Sequence, residues 1–271
     1  MLNIENSKNA KKIISGIALT LAILVLTVIA APKTTNLTSG EALSNKKIGW
    51  GIKRNDNNNQ PDLGAENEKL INKYNGIAIG NNESKTIYLT FDLGYEAGYT
   101  SKILDDLKEK NVKATFFITA HYLNTAEDLV KRMIDEGHIV GNHTVNHKSM
   151  PDLSDEEIKN ELMNLNQSVY EKFRYEMKYM RPPKGEFSER TLSLTEKFGF
   201  KTVMWSFAYV DWKDDSQPSK DDAMKKIISN LHNGEIMLLH ATSKTNSEIM
   251  GEMIDNIRKE GFEIKSLEEF R

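Results

Sequence analysis

Thr86-Ile87-Tyr88-Leu89-Thr90-Phe91-Asp92-Leu93-Gly94 is a β-branched and aromatic run that stops at a carboxylate and a glycine. Its composition predicts a buried strand ending at Asp92. A loop with Gly94 and Gly98 follows, and Thr100 is placed to cap a helix with Ile103, Leu104 and Leu107 on one face. The unit then recurs. Strands are predicted over Ala114–Thr119, His138–Gly141, Lys178–Arg181, Lys201–Phe207, Glu235–His240 and Glu263–Leu267. Helices are predicted over Glu127–Glu136, from Ser154 with its capping box to about Tyr175, and over Glu189–Phe198, Ser219–Leu231 and Ser247–Lys259. Strand-helix alternation means parallel strands with crossover helices. From residue 85 to 271 the chain is too short for a complete eight-fold barrel of about 250 residues. The fold class is therefore α/β, an incomplete and distorted β/α barrel of about seven parallel strands. A doubly wound open sheet is the alternative.

Upstream the character changes. Residues 32–84 are polar and broken by Pro61 and Gly64, and read as a linker with one amphipathic helix over Glu66–Tyr74. Residues 1–31 place Lys8, Lys11 and Lys12 before an apolar run, Ile13–Ala31. That run is long enough to cross a bilayer, which takes about 20 residues. Basic residues on the leading side predict that this end stays in the cytoplasm and the remainder is exported. The run reads as an uncleaved anchor, or as a signal peptide cut after Ala30 or Ala31. Either way the domain over residues 85–271 is expected outside the cytoplasm, membrane-anchored or secreted. A net charge of -3 gives no basis for nucleic-acid binding. The chain has no cysteine, so a metal would have to be held by His, Asp or Glu.

In both candidate architectures chemistry gathers at the C-terminal ends of strands, and Asp92, His143, Arg181, Asp211 and His240 all fall at or just beyond such ends. His143-Thr-Val-Asn-His147 sets two imidazoles four apart. On a helical turn both would face one way and could share one divalent ion, although such spacing alone more often has another cause. A carboxylate ending an apolar strand must be paired, liganded or catalytic, unless Asp92 merely caps the next helix. Arg181, opening Arg-Pro-Pro-Lys-Gly, is a candidate partner on a loop stiffened by Pro182 and Pro183, or a surface arginine. His240 ends a buried strand, where Asp211 could fix its tautomer or where it is simply structural. Trp212 offers an apolar face to a sugar ring, or packs in the core. His121, His138 and His232 lack such a setting and read as structural.

In order, Thr90-Phe91-Asp92, His143-Thr-Val-Asn-His147, Arg181-Pro-Pro-Lys-Gly185, Asp211-Trp212 and Leu238-Leu239-His240 resemble the motifs of the polysaccharide deacetylase, or NodB-homology, family. The stretch from Lys85 to Thr100 is similar to the delta-lactam-forming de-N-acetylases of spore-forming bacteria. The resemblance implies removal of acetyl from N-acetylmuramic acid in peptidoglycan glycan strands, toward muramic delta-lactam in spore cortex. An amidase that strips stem peptides would act first. It further implies Asp92 as general base, Arg181 as its partner and His240 as general acid oriented by Asp211. His143 and His147 would hold a divalent metal, zinc in the first instance, with Lys184 and Trp212 at the substrate. One position departs from the pattern. Family members usually carry a second aspartate after the base as a metal ligand, and this chain has Leu93. Glu96 is the candidate replacement, or instead contacts the substrate or caps the following helix.

Two rival readings remain at this level. Leu93 would suit a wall-binding domain that kept the cleft and lost catalysis. Asp92 with Glu96 would suit glycoside hydrolysis, which leaves the histidine pair unexplained.

Overall fold

The computed structural model describes residues 43–55, 58–213 and 215–270, so the apolar run Ile13–Ala31 lies outside the described residues. In chain order the strands are β1 (Ile48–Gly49), β2 (Thr86–Leu93), β3 (Thr115–Ile118), β4 (Ile139–Asn142), β5 (Tyr179–Met180), β6 (Glu186–Phe187), β7 (Lys201–Thr202), β8 (Phe207–Ala208), β9 (Glu235–His240) and β10 (Glu263–Ile264). The helices are α1 (Ala65–Lys73), α2 (Thr100–Glu109), α3 (Ala120–Thr125), α4 (Glu127–Asp135), α5 (Asp155–Phe173), α6 (Glu189–Lys197), α7 (Lys220–Ile228) and α8 (Lys244–Lys259). Among these described helices, none is long and apolar enough to cross a membrane.

β2 is buried at every position, as a central parallel strand covered on both faces must be. β9 pairs with it along one edge, from Ile87 to Asp92. The other edge is shared, with β10 taking Thr86 and Ile87 and β3 taking Thr90 to Leu93. The strand order β7-β5-β4-β3-β2-β9-β8 gives a half-barrel of seven parallel strands, with β10 against the start of β2. That order excludes the doubly wound alternative.

The strand expected over Lys201–Phe207 is two strands, for a topological reason. Its residues pass from one end of the sheet to the other. Val203 N–H donates to Met180 O beside β5 at 2.8 Å, and Ser206 N–H donates to Ile236 O on β9 at 3.0 Å. No single register satisfies both neighbours, so the ladder breaks between them.

Residues 43–84 do not behave as a linker. β1 pairs antiparallel with β6, and Ile77 bridges to Val203. Trp50, Leu63, Ile71, Tyr74 and Ala78 bury themselves with Phe187, Leu192 and Met204 in a small second core. Trp50 N–H donates to Gly185 O at 2.8 Å and its indole N–H to Trp205 O at 2.9 Å. A Cβ on Gly185 would lie 2.7 Å from the Trp205 ring and 3.1 Å from Trp50, so only glycine fits, at φ 65. Short polar runs hid this packing, because the apolar residues that dock are scattered rather than periodic.

The Trp50→Ala variant is expected to lose about 3–5 kcal/mol of stability, the usual cost of truncating a buried large aromatic. Urea unfolding measures it, and an unchanged midpoint would show that the segment before β2 does not support the domain.

Candidate active site

Asp92 sits at the end of β2, opposite His240 on β9. Arg181, fully buried just after β5, donates from Nη1 to Asp92 Oδ1 at 2.9 Å. Its Nε and Nη2 donate to the carbonyls of Val203 and Met204, both at 3.1 Å, and its guanidinium lies 4.4 Å from the Phe117 ring centre. Carbonyls exposed by the broken β7–β8 ladder thus fix the arginine. Burial alone would push the Asp92 carboxyl up, but Arg181, His143 and His240 outweigh it and hold the group below its ordinary 3.8.

His143 follows β4 directly, and its Nδ1–H donates to Arg181 O at 2.8 Å. That bond assigns the proton to Nδ1 and leaves the Nε2 lone pair facing the cleft. His143 Nε2 lies 3.1 Å from His147 Nε2 and 3.5 Å from Asp92 Oδ2. The pair is not on a helical turn as the spacing suggested. A loop with Thr144 at φ 68 and His147 at φ 53 folds the second ring onto the first. Burial pushes His147 down to about 4 and lowers His143 as well, so both are neutral at pH 7, the form that binds metal.

The donor set fits one divalent ion on two imidazoles. It does not offer a third protein ligand. Among the described residues no group of three His, Asp or Glu side chains has metal-binding geometry. Leu93 is fully buried in the main core. Glu96, the candidate replacement, takes the alternative helix-capping role. Its Oε1 accepts from the backbone N–H of Gly98 at 2.6 Å and of Thr100 at 3.3 Å, while Oε2 accepts from the hydroxyls of Thr100 and Tyr122. Glu96 therefore anchors the start of α2. Thr100, expected as the cap, is the first helical residue, and Tyr99 at the cap position makes no side-chain capping bond.

Across the cleft, His240 Nδ1–H donates to Asp211 Oδ1 at 2.7 Å, leaving Nε2 as its free nitrogen. Asp211 is fully buried. Its Oδ2 accepts from His240 N–H at 2.8 Å and Asn246 Nδ2 at 2.7 Å. Burial would lower His240, but the bond to Asp211 and the charges of Asp211 and Asp92 raise it above its ordinary 6.5. Asp92 and His240 are thus pushed in opposite directions, toward a carboxylate and an imidazolium.

Two lobes of about 730 and 400 Å³ meet at Asp92, His143, His147, Trp212 and His240. Trp212 is half exposed, its ring centre 5.3 Å from that of His240. Lys184 lines the smaller lobe, in a turn with φ 59. Among the described residues Asp92 is the only carboxylate lining either lobe, so the paired-carboxylate geometry of glycoside hydrolysis is missing. His121, expected to be structural, is exposed on the wall of the larger lobe with Tyr95, Asn146 and Thr242. Nothing in their local sequence marks these four. His138 and His232 are structural as expected. His138 Nδ1 accepts from Ala114 N–H at 3.1 Å, and His232 bonds Ser206 and Asn230, both at 2.8 Å.

The arrangement brings a buried carboxylate, a carboxylate-bound imidazole, a pair of neutral imidazoles and a half-exposed indole together on one cleft. The family profile described as Polysaccharide deacetylase matches residues 79–203. Peptidoglycan-N-acetylmuramic acid deacetylase PdaA of Bacillus subtilis is 44% identical over 84% of this chain and 88% of its own length. The solved structure of Bacillus subtilis PdaA, a family 4 carbohydrate esterase, superposes with a TM-score of 0.82 at 43% identity, covering 84% of this chain and 98% of that one. A family 4 carbohydrate esterase from Bacillus anthracis gives 0.72 at 42% identity, covering 85% and 98%. The chain belongs to the polysaccharide deacetylase family, hydrolases acting on amide bonds.

Removing Arg181 as Arg181→Met leaves Asp92 buried without its cation, at an expected cost of about 3–5 kcal/mol. The double variant Asp92→Leu/Arg181→Met should recover most of that loss in chemical denaturation. Equal stability of the single variant and the parent would show that the pair is not coupled.

Proposed function

We propose that the protein removes the N-acetyl group from N-acetylmuramic acid in peptidoglycan glycan strands. The observation that carries this reading is the placement of Asp92, bound by Arg181 at 2.9 Å, opposite His240, bound to Asp211 at 2.7 Å, on one cleft. Asp92, ionised and held by Arg181, accepts the proton of the attacking water. When bound on His143 and His147, a divalent ion, Zn2+ in the first instance, supplies Lewis acidity toward the carbonyl and the water. A backbone N–H near Lys184 is the candidate partner for the developing oxyanion. His240 holds a proton on Nε2, fixed in orientation by Asp211, and delivers it to the departing amine. Trp212, half exposed beside His240, supports the sugar ring.

The same reading extends to the product. Deacetylation frees an amine beside the lactyl carboxyl of muramic acid, and the two can close to a delta-lactam only if that carboxyl carries no stem peptide. The proposal accordingly includes an amidase acting first, a place in spore-cortex maturation, and export of the domain with the run Ile13–Ala31 as anchor or signal. A second reading rests on Leu93: a domain that binds wall glycan without hydrolysing it, because two imidazoles hold the metal too weakly.

Purified protein incubated with peptide-free muramic-acid glycan and Zn2+ is expected to release acetate, and Asp92→Asn should lower the rate about 100-fold or more. Mass spectrometry of the digested glycan locates the lost acetyl group. Glycan binding without acetate release, at any Zn2+ level, would favour the second reading.

The proton donor must be protonated, so activity should persist below the His240 pKa and fall as pH rises through it. In Asp211→Asn the raising influence is lost and the alkaline limb should move to lower pH. An alkaline limb that does not move would remove His240 from that role.

A further inference from the structure

The turn His143-Thr144-Val145-Asn146-His147 holds a backbone that its residues disfavour. Thr144 and His147 both have positive φ, 68 and 53, and a β-branched residue in that region is an outlier. Such strain persists only where neighbours over-determine the conformation. Part of the restraint is local. Asn142 Oδ1 accepts from Thr144 N–H at 2.8 Å, and Thr144 Oγ1 accepts from His147 N–H at 3.0 Å.

The rest comes from Glu161 on α5. Its Oε2 accepts from Asn146 N–H at 2.7 Å and its Oε1 from Asn146 Nδ2 at 2.6 Å. Its backbone carbonyl accepts from Val145 N–H at 3.1 Å. Glu161 is buried, and these bonds come from Asn146 rather than from a lysine or arginine. Burying a carboxylate in such a place is costly, and local helix stability does not require it. Two convergent N–H donors do. A glutamine of the same shape has one acceptor oxygen and an NH2 group, so it cannot accept both.

We propose that Glu161 is a positioning residue for the metal pair, its buried carboxylate clamping the strained turn so that His143 Nε2 and His147 Nε2 converge on one divalent ion. The inference rests on the reading of these histidines as metal ligands. Leu93 sharpens the requirement. With two imidazoles in place of three protein ligands, affinity depends on how well the two are held together.

The test uses the intact protein, Zn2+ alone as ligand, and amide hydrogen exchange without metal. In Glu161→Leu, exchange at Val145, Asn146 and His147 should accelerate at least 10-fold, and Zn2+ affinity should fall about 10–100-fold, the usual loss for groups that orient metal ligands. Glu161→Gln, keeping one acceptor, should fall between that variant and the parent. Should Glu161→Leu fail to fold, Asn146→Ala removes one of the two bonds to the Glu161 carboxylate, that from Nδ2, keeps the backbone N–H bond, and should show the same two changes at smaller size. A folded Glu161→Leu protein with parental exchange in the turn overturns the clamp. Faster exchange with parental Zn2+ affinity reduces it to a structural contact and also overturns the proposal. A parent that binds no Zn2+ would instead sink the metal-pair reading, while the exchange data still decide whether Glu161 holds the turn.

Discussion

The buried pair of Asp92 and Arg181 is the constraint around which the rest of the site is arranged. A carboxylate at the end of a fully buried strand is tolerable only beside a fixed cation. Three features of the fold supply it. β5 ends beside β4, which brings Arg181 near the cleft floor. The break between β7 and β8 frees the Val203 and Met204 carbonyls that hold two of its nitrogens. The Arg181 carbonyl then sets the His143 tautomer. One residue therefore fixes Asp92 and His143 together, and its side chain and backbone do so independently.

The histidine end of the site is built by the same logic with different parts. Asp211 reaches His240 from beyond β8, and is itself held by Asn246 on α8. The outcome is two groups facing one cleft whose protonation is biased in opposite senses, a requirement for base-then-acid hydrolysis near neutral pH. Leu93 does not disturb this. It bears only on the proposed metal seat, which is left with two imidazoles because the Leu93 side chain belongs to the core and Glu96 is committed to the start of α2.

Much of this was legible in the sequence, and the limits have physical causes. Strands with continuous apolar runs, β2 and β9, were found with their bounds nearly unchanged, because burial on both faces leaves a clear signature. The residues that end them, Asp92 and His240, stood out as polar groups on apolar runs. Where a strand served two neighbours, as over residues 201–208, composition could not reveal the break. The segment over residues 43–84 carries no periodic signature of a packed element, because its contacts are made by isolated side chains such as Trp50. Glu96 fits a metal ligand and a helix cap equally well by its spacing, and only the fold, which sets it on Gly98 and Thr100, decides between them. Glu161 and His121 carry no local signal at all; they matter through what the fold brings against them.

The central claim is that one cleft holds Asp92 ionised and His240 protonated at the same pH. NMR titration of the Asp92 carboxyl and the His240 ring in the metal-free protein tests it directly. The account predicts an Asp92 pKa below 3.8 and a His240 pKa above 6.5. A raised Asp92 with a lowered His240 would contradict it.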